Sequence, residues 1–373
     1  MAKEIRVVLL SKACVTGVYR GKLDEIVSHS DVHLTVIVPP QWRDERGVLP
    51  FEHTETSGYQ ILVEPIVFNG SYHFHFYPRL RQRLFEINPD VLHIDEEPYN
   101  LATWHAMWAA KKHRCKTLFF SWQNMNKQYP WPFSAIESSV MRQVNAAIFG
   151  SRSALQVFKD KGYVGPSEVI PQFGVDTEMF CMRTNSKQIG SYFNIGFIGR
   201  LVYEKGVDIL IRVIARMPND VRLNVYGAGP ELSALRGLTK SMKVEDRVLI
   251  APWLPSSKIP SLLRTFDVLV LPSRTTSHWK EQFGRVLIEA MSSGVPVIGS
   301  NCGEIPNVIG DAGFVFEQND LFALEEVLMR LYSDISLRSK LAQKGRQRVL
   351  AHFTQANVAA KTVDLYRSLF DNS

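Results

Sequence analysis

Short runs of β-branched and aliphatic residues, each followed by a stretch of helical character, recur from one end of this chain to the other. They fall at 5–10, 32–38, 60–67, 90–94, 117–121, 146–149 and 169–170, and again at 193–198, 221–226, 248–250, 267–271, 295–298 and 313–316. Apolar strands of this length alternating with helices form parallel sheets covered on both faces, because each parallel crossover needs a helix-length connection. Two series predict two doubly wound, Rossmann-like α/β domains, and such sheets bind ligands in a crevice at the carboxyl ends of their strands. A chain of 373 residues is long enough for both. The polar stretch 181–191 (CMRTNSKQIGS) is the expected boundary, giving domains 1–180 and 181–353. Residues 354–373 read as a helix capped by Thr354. Its stripe of Val358, Thr362, Leu365, Tyr366, Leu369 and Phe370 should pack back on the first domain.

Composition narrows the partners. A hydrophobic content of 45% with 21% charged residues is that of a globular protein. No run approaches the ~18 apolar residues of a membrane-spanning helix. MAKEIRVVLLS enters a strand directly and lacks signal-peptide anatomy, and Cys14, Cys115, Cys181 and Cys302 form no C-x-x-C pair. The expectation is a cytoplasmic protein with no metal cluster. The net charge of +6 favours anions, among them nucleic acid, lipid headgroups and phosphorylated small molecules. No nucleic-acid module is recognisable, so nucleic acid is set aside.

Three stretches of the second domain carry chemistry. In NIGFIGRLVYEKGVDILI, residues 194–211, a strand ends at Gly199-Arg200 and Lys205-Gly206 opens the next helix. Two cations at a helix start suit a diphosphate, against the plainer reading of two solvated side chains beside a turn. VYGAGPEL, residues 225–232, offers Gly227-x-Gly229 with Leu232 where a dinucleotide fingerprint needs a third glycine. Gly229 then reads as a turn that lets backbone approach a nucleotide. In EQFGRVLIEAMSSGVPVIGS, residues 281–300, a helix begins at Gly284 and stops at Gly294. Glu281 lies in the loop before that helix and Glu289 inside an apolar run. An unpaired carboxylate there is costly to bury unless hydroxyl groups bond to it. The N–H groups of Gly284, Arg285 and Val286 would meet phosphate oxygens, with Glu289 on a ribose diol and Glu281 on a sugar beyond the diphosphate. The plainer alternative for Glu289 is a salt bridge to Arg200 or Lys205. A retaining-glycosidase carboxylate pair is disfavoured by the absence of a barrel pattern.

In combination, EQFGRVLIEAMSSGVPVI, GRLVYEKGVDIL and VYGAGPEL resemble the family-4 retaining glycosyltransferases of the GT-B fold, the glycosyl transferases group 1. The resemblance covers nearly the whole second domain and is looser over DVLHIDEEPYNLA and VIPQFGVDTEMF in the first. It implies two Rossmann-like domains facing a central cleft, a nucleotide-sugar donor on the second, an acceptor on the first, and no required metal or other cofactor. Carried over by position, it puts Arg200 and Lys205 on the diphosphate and Glu289 on the ribose. Glu281 and the Phe283–Val286 backbone would hold the donor sugar and phosphates, with Trp253-Leu254 near the base. Family members usually have His-Asp after the strand at 117–121, where this chain has Trp122-Gln123-Asn124. Gln123 can hydrogen-bond a sugar hydroxyl but cannot titrate. Thr16-Gly17 stands where paired glycines are common.

In the first domain, Asp95-Glu96-Glu97-Pro98 follows a strand and should face the crevice, with Glu97 the preferred acceptor ligand and Gly17 a second acceptor-binding candidate. Helix N-terminal charge preference explains the same acids equally well. SYHFHFYPRLRQRLF, residues 71–85, mixes aromatics with Arg79, Arg81 and Arg83. A packed amphipathic helix is the plainer reading, and contact with an anionic membrane or lipid-linked acceptor the other. The expected activity is retaining transfer of a hexose from a UDP- or GDP-linked sugar to a glycan, lipid-linked or small-molecule acceptor, with Arg200, Lys205, Glu281 and Gln123 as the catalytic set. The alternatives are a GT-B epimerase or phosphorylase, and a non-catalytic sugar-nucleotide-binding protein.

Overall fold

The computed structural model describes residues 4–44, 47–53, 56, 58–182 and 192–371. It divides into two units, residues 1–174 with 355–373, and residues 175–354. The first contains β1 Ile5–Leu10, β2 Val32–Val38, β3 Gln41–Asp44, β4 Gly47–Pro50, β5 Gln60–Val63, β6 Val91–Ile94, β7 Lys116–Ser121, β8 Ala146–Phe149 and β9 Ser167–Val169. The second contains β10 Phe193–Ile198, β11 Val221–Tyr226, β12 Val248–Ala251, β13 Val268–Leu271, β14 Val297–Ser300 and β15 Phe314–Phe316.

Both main sheets are parallel, as the two series of apolar runs require. Among the described residues the first has seven strands in the order β5-β2-β1-β6-β7-β8-β9, and the second has six in the order β12-β11-β10-β13-β14-β15. The chain reverses direction across the first sheet between β1 and β6, and across the second between β10 and β13. At these two switch points neighbouring connections lie on opposite faces and leave a crevice at the carboxyl edge. A separate antiparallel pair, β3 with β4, was not foreseen from sequence.

Strand ends differ from expectation where local bonding overrides apolar character. The run at 60–67 stops pairing at Val63 because Pro65, lacking an N–H, cannot extend the ladder. Val67 instead bridges to Phe76. The run at 295–298 starts pairing only at Val297, because the preceding helix ends in a Schellman turn. Gly294 takes a left-handed φ of 70° and donates to Met291, while the Val295 N–H is spent on Ala290.

The chain passes between units at Gly174-Val175, earlier than position 181. The reason lies in the segment just after that point. Val175 donates to Phe353 and bridges Thr354, and the Phe180 carbonyl accepts from Ser292 and Arg346. The stretch 175–182 therefore belongs to the second unit, and 183–191 of the expected linker lies outside the described residues.

The last helix, Gln355–Asp371, belongs to the first unit. Val358, Ala359, Val363, Leu365, Tyr366 and Leu369 join the core formed by β1, β2 and Leu23 and Ile26. Each large side chain so buried contributes roughly 1.5–3 kcal/mol. The Tyr366 hydroxyl lies 2.7 Å from His93 Nδ1, and Arg367 forks onto Asp31 at 2.7 and 2.9 Å.

Candidate functional site

In the second unit every residue expected to bind donor follows the carboxyl end of a strand. Arg200 and Lys205 come after β10, Gly229 after β11, Leu254 after β12, and Glu281 to Glu289 after β13. Since β10 and β13 are neighbours, Lys205 and the Glu281 segment meet at the switch point.

The meeting is tight. Lys205 Nζ lies 2.5 Å from Glu281 Oε2, and Ser273 Oγ donates to the same oxygen at 2.9 Å. The Trp279 ring lies 5.1 Å from the ammonium, within cation–π range. Gly206 makes this possible. Its φ is 67°, and a Cβ there would sit 2.2 Å from the Pro272 carbonyl, so the loops after β10 and β13 touch through backbone. The Glu281 backbone is fastened as well, its N–H directed at Cys302 Sγ and its carbonyl accepting from Glu304. Sequence reading expected Lys205 on phosphate and Glu281 on sugar as separate groups. The structure joins them into one ion pair, 17% and 8% exposed at the two side chains.

Gly227 and Gly229 are explained by packing. A Cβ at Gly227 would lie 1.9 Å from the Gly199 carbonyl, and one at Gly229 would lie 2.2 Å from that of Leu201. Leu201 also donates to Ala228 and accepts from Glu231. The glycine pair admits the neighbouring loop that carries Arg200, a reason the sequence reading had assigned to a nucleotide. Arg200 itself is exposed, and Leu254 is half-buried beside exposed Trp253.

Gly284 is left-handed at φ 82° and opens the helix Arg285–Ser292. Its carbonyl accepts from Leu287, and the first N–H groups of the turn have no partner within the helix. Phe283 is buried, its ring edge-on to Phe353 at 5.8 Å, so it anchors the loop. Val286 is half-buried. Glu289 pairs with neither Arg200 nor Lys205. Arg285 Nε lies 2.7 Å from its Oε1, the i,i+4 geometry of a helix face. Burial pushes the Glu289 carboxyl above its ordinary range, and Arg285 offsets part of that shift.

The first unit gives its expected residues intramolecular work. Gly17 N–H donates to Glu52 Oε2 at 2.6 Å. Glu97 accepts from Ser121 Oγ at 2.6 Å and from the Trp122 N–H at 2.9 Å, tying the end of β6 to that of β7. Burial pushes its carboxyl up to about 7, with those two bonds opposing. Gln123 is buried and lies against an ion pair in which Lys161 Nζ is 2.7 Å from Glu137 Oε1. With its amide turned to satisfy both ends, Gln123 donates to Glu137 at 3.2 Å and accepts from Lys161 at 2.9 Å. It is a packed residue, where an open hydroxyl-binding group was expected.

Sequence reading missed the centre of this crevice. Lys12, just after β1, forms an ion pair with Glu96, just after β6, across the switch point. His75 Nε2 lies 3.4 Å from the other Glu96 oxygen, and Asn100 also donates to Glu96. Trp42, from the unforeseen hairpin, and Tyr72 flank the Lys12 ammonium at 5.4 and 5.9 Å. The available signal was positional: a lysine one residue beyond Ser11, at the end of the first strand.

Comparison with known proteins places these features. Residues 183–348 match the family model of the glycosyl transferases group 1. The N-acetyl-alpha-D-glucosaminyl L-malate synthase of Bacillus anthracis is 31% identical over 166 residues, 43% of this chain and 42% of that protein. A GDP-mannose-dependent alpha-(1-6)-phosphatidylinositol monomannoside mannosyltransferase of Mycobacterium tuberculosis is 27% identical over 237 residues, 62% and 60% of the two chains. The chain thus spans about half the length of the curated relatives it matches. Among solved structures, the sucrose-phosphate synthase of Thermosynechococcus elongatus superposes with a TM-score of 0.73 at 19% identity, covering 99% of this chain and 100% of that one. Anabaena HepE in complex with UDP gives a TM-score of 0.73 at 17% identity, covering 98% and 100%. The fold is GT-B, and the second unit resembles the group 1 glycosyltransferases over residues 183–348.

Proposed function

We propose that this chain, whose second unit resembles the group 1 glycosyltransferases, transfers a hexose with retention from a UDP- or GDP-linked sugar to a glycan, lipid-linked or small-molecule acceptor. The observation that carries the reading is the Lys205–Glu281 pair at the β10–β13 switch point, beside the left-handed Gly284 turn. A cation held in place by a carboxylate, next to N–H groups lacking helical partners, is prearranged for an anionic leaving group and needs little reorganisation as charge develops. Lys205 and Arg200 neutralise the departing diphosphate. Glu281, oriented by Ser273 and Lys205, fixes the sugar. Glu289, paired with Arg285, accepts from the ribose hydroxyls. No metal is needed, because the cations and the helix start take that part.

The first unit holds the acceptor near Glu97 and Gly17. Relatives named for L-malate and phosphatidylinositol monomannoside support a small polar or lipid-linked acceptor. Among the described residues no helix is long and apolar enough to cross a membrane. Exposed Phe68, Tyr72, Phe74 and Phe85, with Arg81 at 5.5 Å from the ring of exposed Trp108, fit peripheral contact with an anionic inner membrane face.

The test is a thermal-shift panel of nucleotides and nucleotide sugars, since a ligand of the folded state raises apparent stability. One nucleoside diphosphate should stabilise the wild type and lose affinity for Glu289→Ala. Glu281→Ala should retain the free nucleotide and lose transfer. Equal nucleotide affinity in wild type and Glu289→Ala would refute the ribose assignment.

A further inference from the structure

Arg274 is a buried cation with no part in the reading above. It follows Ser273 just beyond β13, and its side chain is 7% exposed. Ser273 holds Glu281, whereas Arg274 turns to the other loop of the switch point, the one that carries Lys205. Its backbone N–H donates to the Glu204 carbonyl at 2.7 Å. Its guanidinium lies over the Tyr203 ring at 4.4 Å and pairs through Nη2 with Asp208, in the first turn of the next helix. The same nitrogen lies 3.5 Å from where a Cβ at Gly206 would be. Each of these contacts falls on a near neighbour of Lys205, on one side of it or the other.

Stability alone does not explain this use of an arginine. Its Nε is buried and has no hydrogen-bond partner among the described residues, and Asp208 is 35% exposed. Leaving part of a buried charged group unpaired is costly. The planar guanidinium spans a ring and a carboxylate at once, which a lysine ammonium does not. What it spans is a weak element, the single 3-10 turn Tyr203–Lys205 that ends at left-handed Gly206. A cation stabilises developing charge best when its place is fixed before the charge appears.

We propose that Arg274 is a positioning residue, a clamp on the Tyr203–Gly206 turn that keeps the Lys205 ammonium beside Glu281 and ready for the diphosphate. That role presupposes the diphosphate contact given to Lys205 above.

Two measurements on the full chain test it. In the first, without ligand, an N-hydroxysuccinimide ester acylates lysines and mass spectrometry follows Lys205 and Lys12. Both side chains are 17% exposed and paired with a glutamate, so Lys12 reports any general loosening. In Arg274→Met, Lys205 should react about threefold faster than in the wild type, with the Lys12 rate unchanged. An unchanged Lys205 rate, or a parallel rise at Lys12, overturns the proposal. The second measurement is calorimetric titration with UDP and GDP. Arg274→Met should weaken the nucleoside diphosphate that binds by about tenfold. In a Lys205→Ala background the same substitution should have no further effect, because residues acting through one contact are not additive. Equal losses in the two backgrounds overturn the clamp. Arg274→Lys keeps the charge with less disturbance of the fold and should recover only part of the affinity, and full recovery would replace positioning by charge alone. Faster Lys205 acylation with no nucleotide binding in the wild type removes the function proposed above and keeps the clamp. Nucleotide binding with unchanged Lys205 acylation removes the clamp alone.

Discussion

The two sheets place a lysine and a glutamate in matching positions and surround them differently. Lys12 follows β1 and meets Glu96 after β6, while Lys205 follows β10 and meets Glu281 after β13. Both lysine side chains are 17% exposed and both sit against aromatic rings. The carboxylates differ. Glu96 is fully buried among His75 and Asn100, whereas Glu281 is 8% exposed and is held by Ser273 and by backbone bonds to Cys302 and Glu304. A switch point in a parallel sheet therefore supplies the position of a charged pair, and the flanking loops decide its use. In the second unit the pair adjoins a left-handed glycine and a helix start, which suits a diphosphate. In the first it is enclosed and acts chiefly to order the loops around the crevice.

The largest difference should appear in catalysis. Lys205→Ala is expected to lower kcat/KM by about 10²- to 10³-fold, the effect of losing one donor to developing charge. Lys12→Ala should lower it far less in the fraction that remains folded. Steady-state transfer assays compare them, and equal losses would erase the functional distinction between the two pairs.

Folding stability should rank them in reverse. Lys12→Met leaves Glu96 buried without its ammonium and should cost about 3 kcal/mol. Glu281 is less enclosed, so Lys205→Met should cost about 1 kcal/mol. Urea midpoints measure both, and a larger loss for Lys205→Met would reverse the assignment of structural and functional roles.

Glu97 offers a pH test confined to the first unit. Burial pushes its carboxyl up to about 7 in the folded chain, from an ordinary glutamate value of 4.5. The folded state therefore holds a proton that the unfolded state has released across that interval, and stability falls as pH rises from about 4.5 to 7. The loss should approach about 3 kcal/mol above pH 7, at about 1.4 kcal/mol for each pH unit between the two values in this buried carboxyl. Glu97→Gln should flatten this part of the profile, and parallel urea midpoints for variant and wild type at pH 5 and pH 7.5 would contradict it.

The smallest effect belongs to the glycine that opens the helix Arg285–Ser292. A Cβ at Gly284 would lie 3.0 Å from Leu271 and Leu287 side-chain carbons at a φ of 82°. Gly284→Ala should cost about 1–2 kcal/mol of stability and weaken nucleotide binding without abolishing it. Calorimetry with and without nucleotide checks both, and an unchanged melting temperature would show the turn to be relaxed.

Much of the architecture was readable because apolar periodicity acts locally. β1, β2, β8, β10 and β11 begin and end where their β-branched runs do. The hairpin β3–β4 was missed because QWRD and GVLP are short, mixed in polarity and end at Pro50. In the site, adjacency to strand ends correctly brought Lys205 and Glu281 to one edge, but spacing carries no information about which charges pair. Hence the partner of Glu289 is its own helix neighbour Arg285, and Gln123 turned out to be enclosed by Glu137 and Lys161. Gly227 and Gly229 show the same limit. A glycine needed for a ligand and one needed for a neighbouring loop look alike in sequence.

By itself the sequence determined the parallel sheets, the returning last helix and the clustering of charged residues after strands, because these follow from periodicity along one segment at a time. Only the tertiary structure decided the Lys12–Glu96 and Lys205–Glu281 pairs and the burial that raises Glu97. Each depends on desolvation and on distances between segments far apart in the chain, and a side chain acquires both only when strands from different parts of the chain are laid side by side.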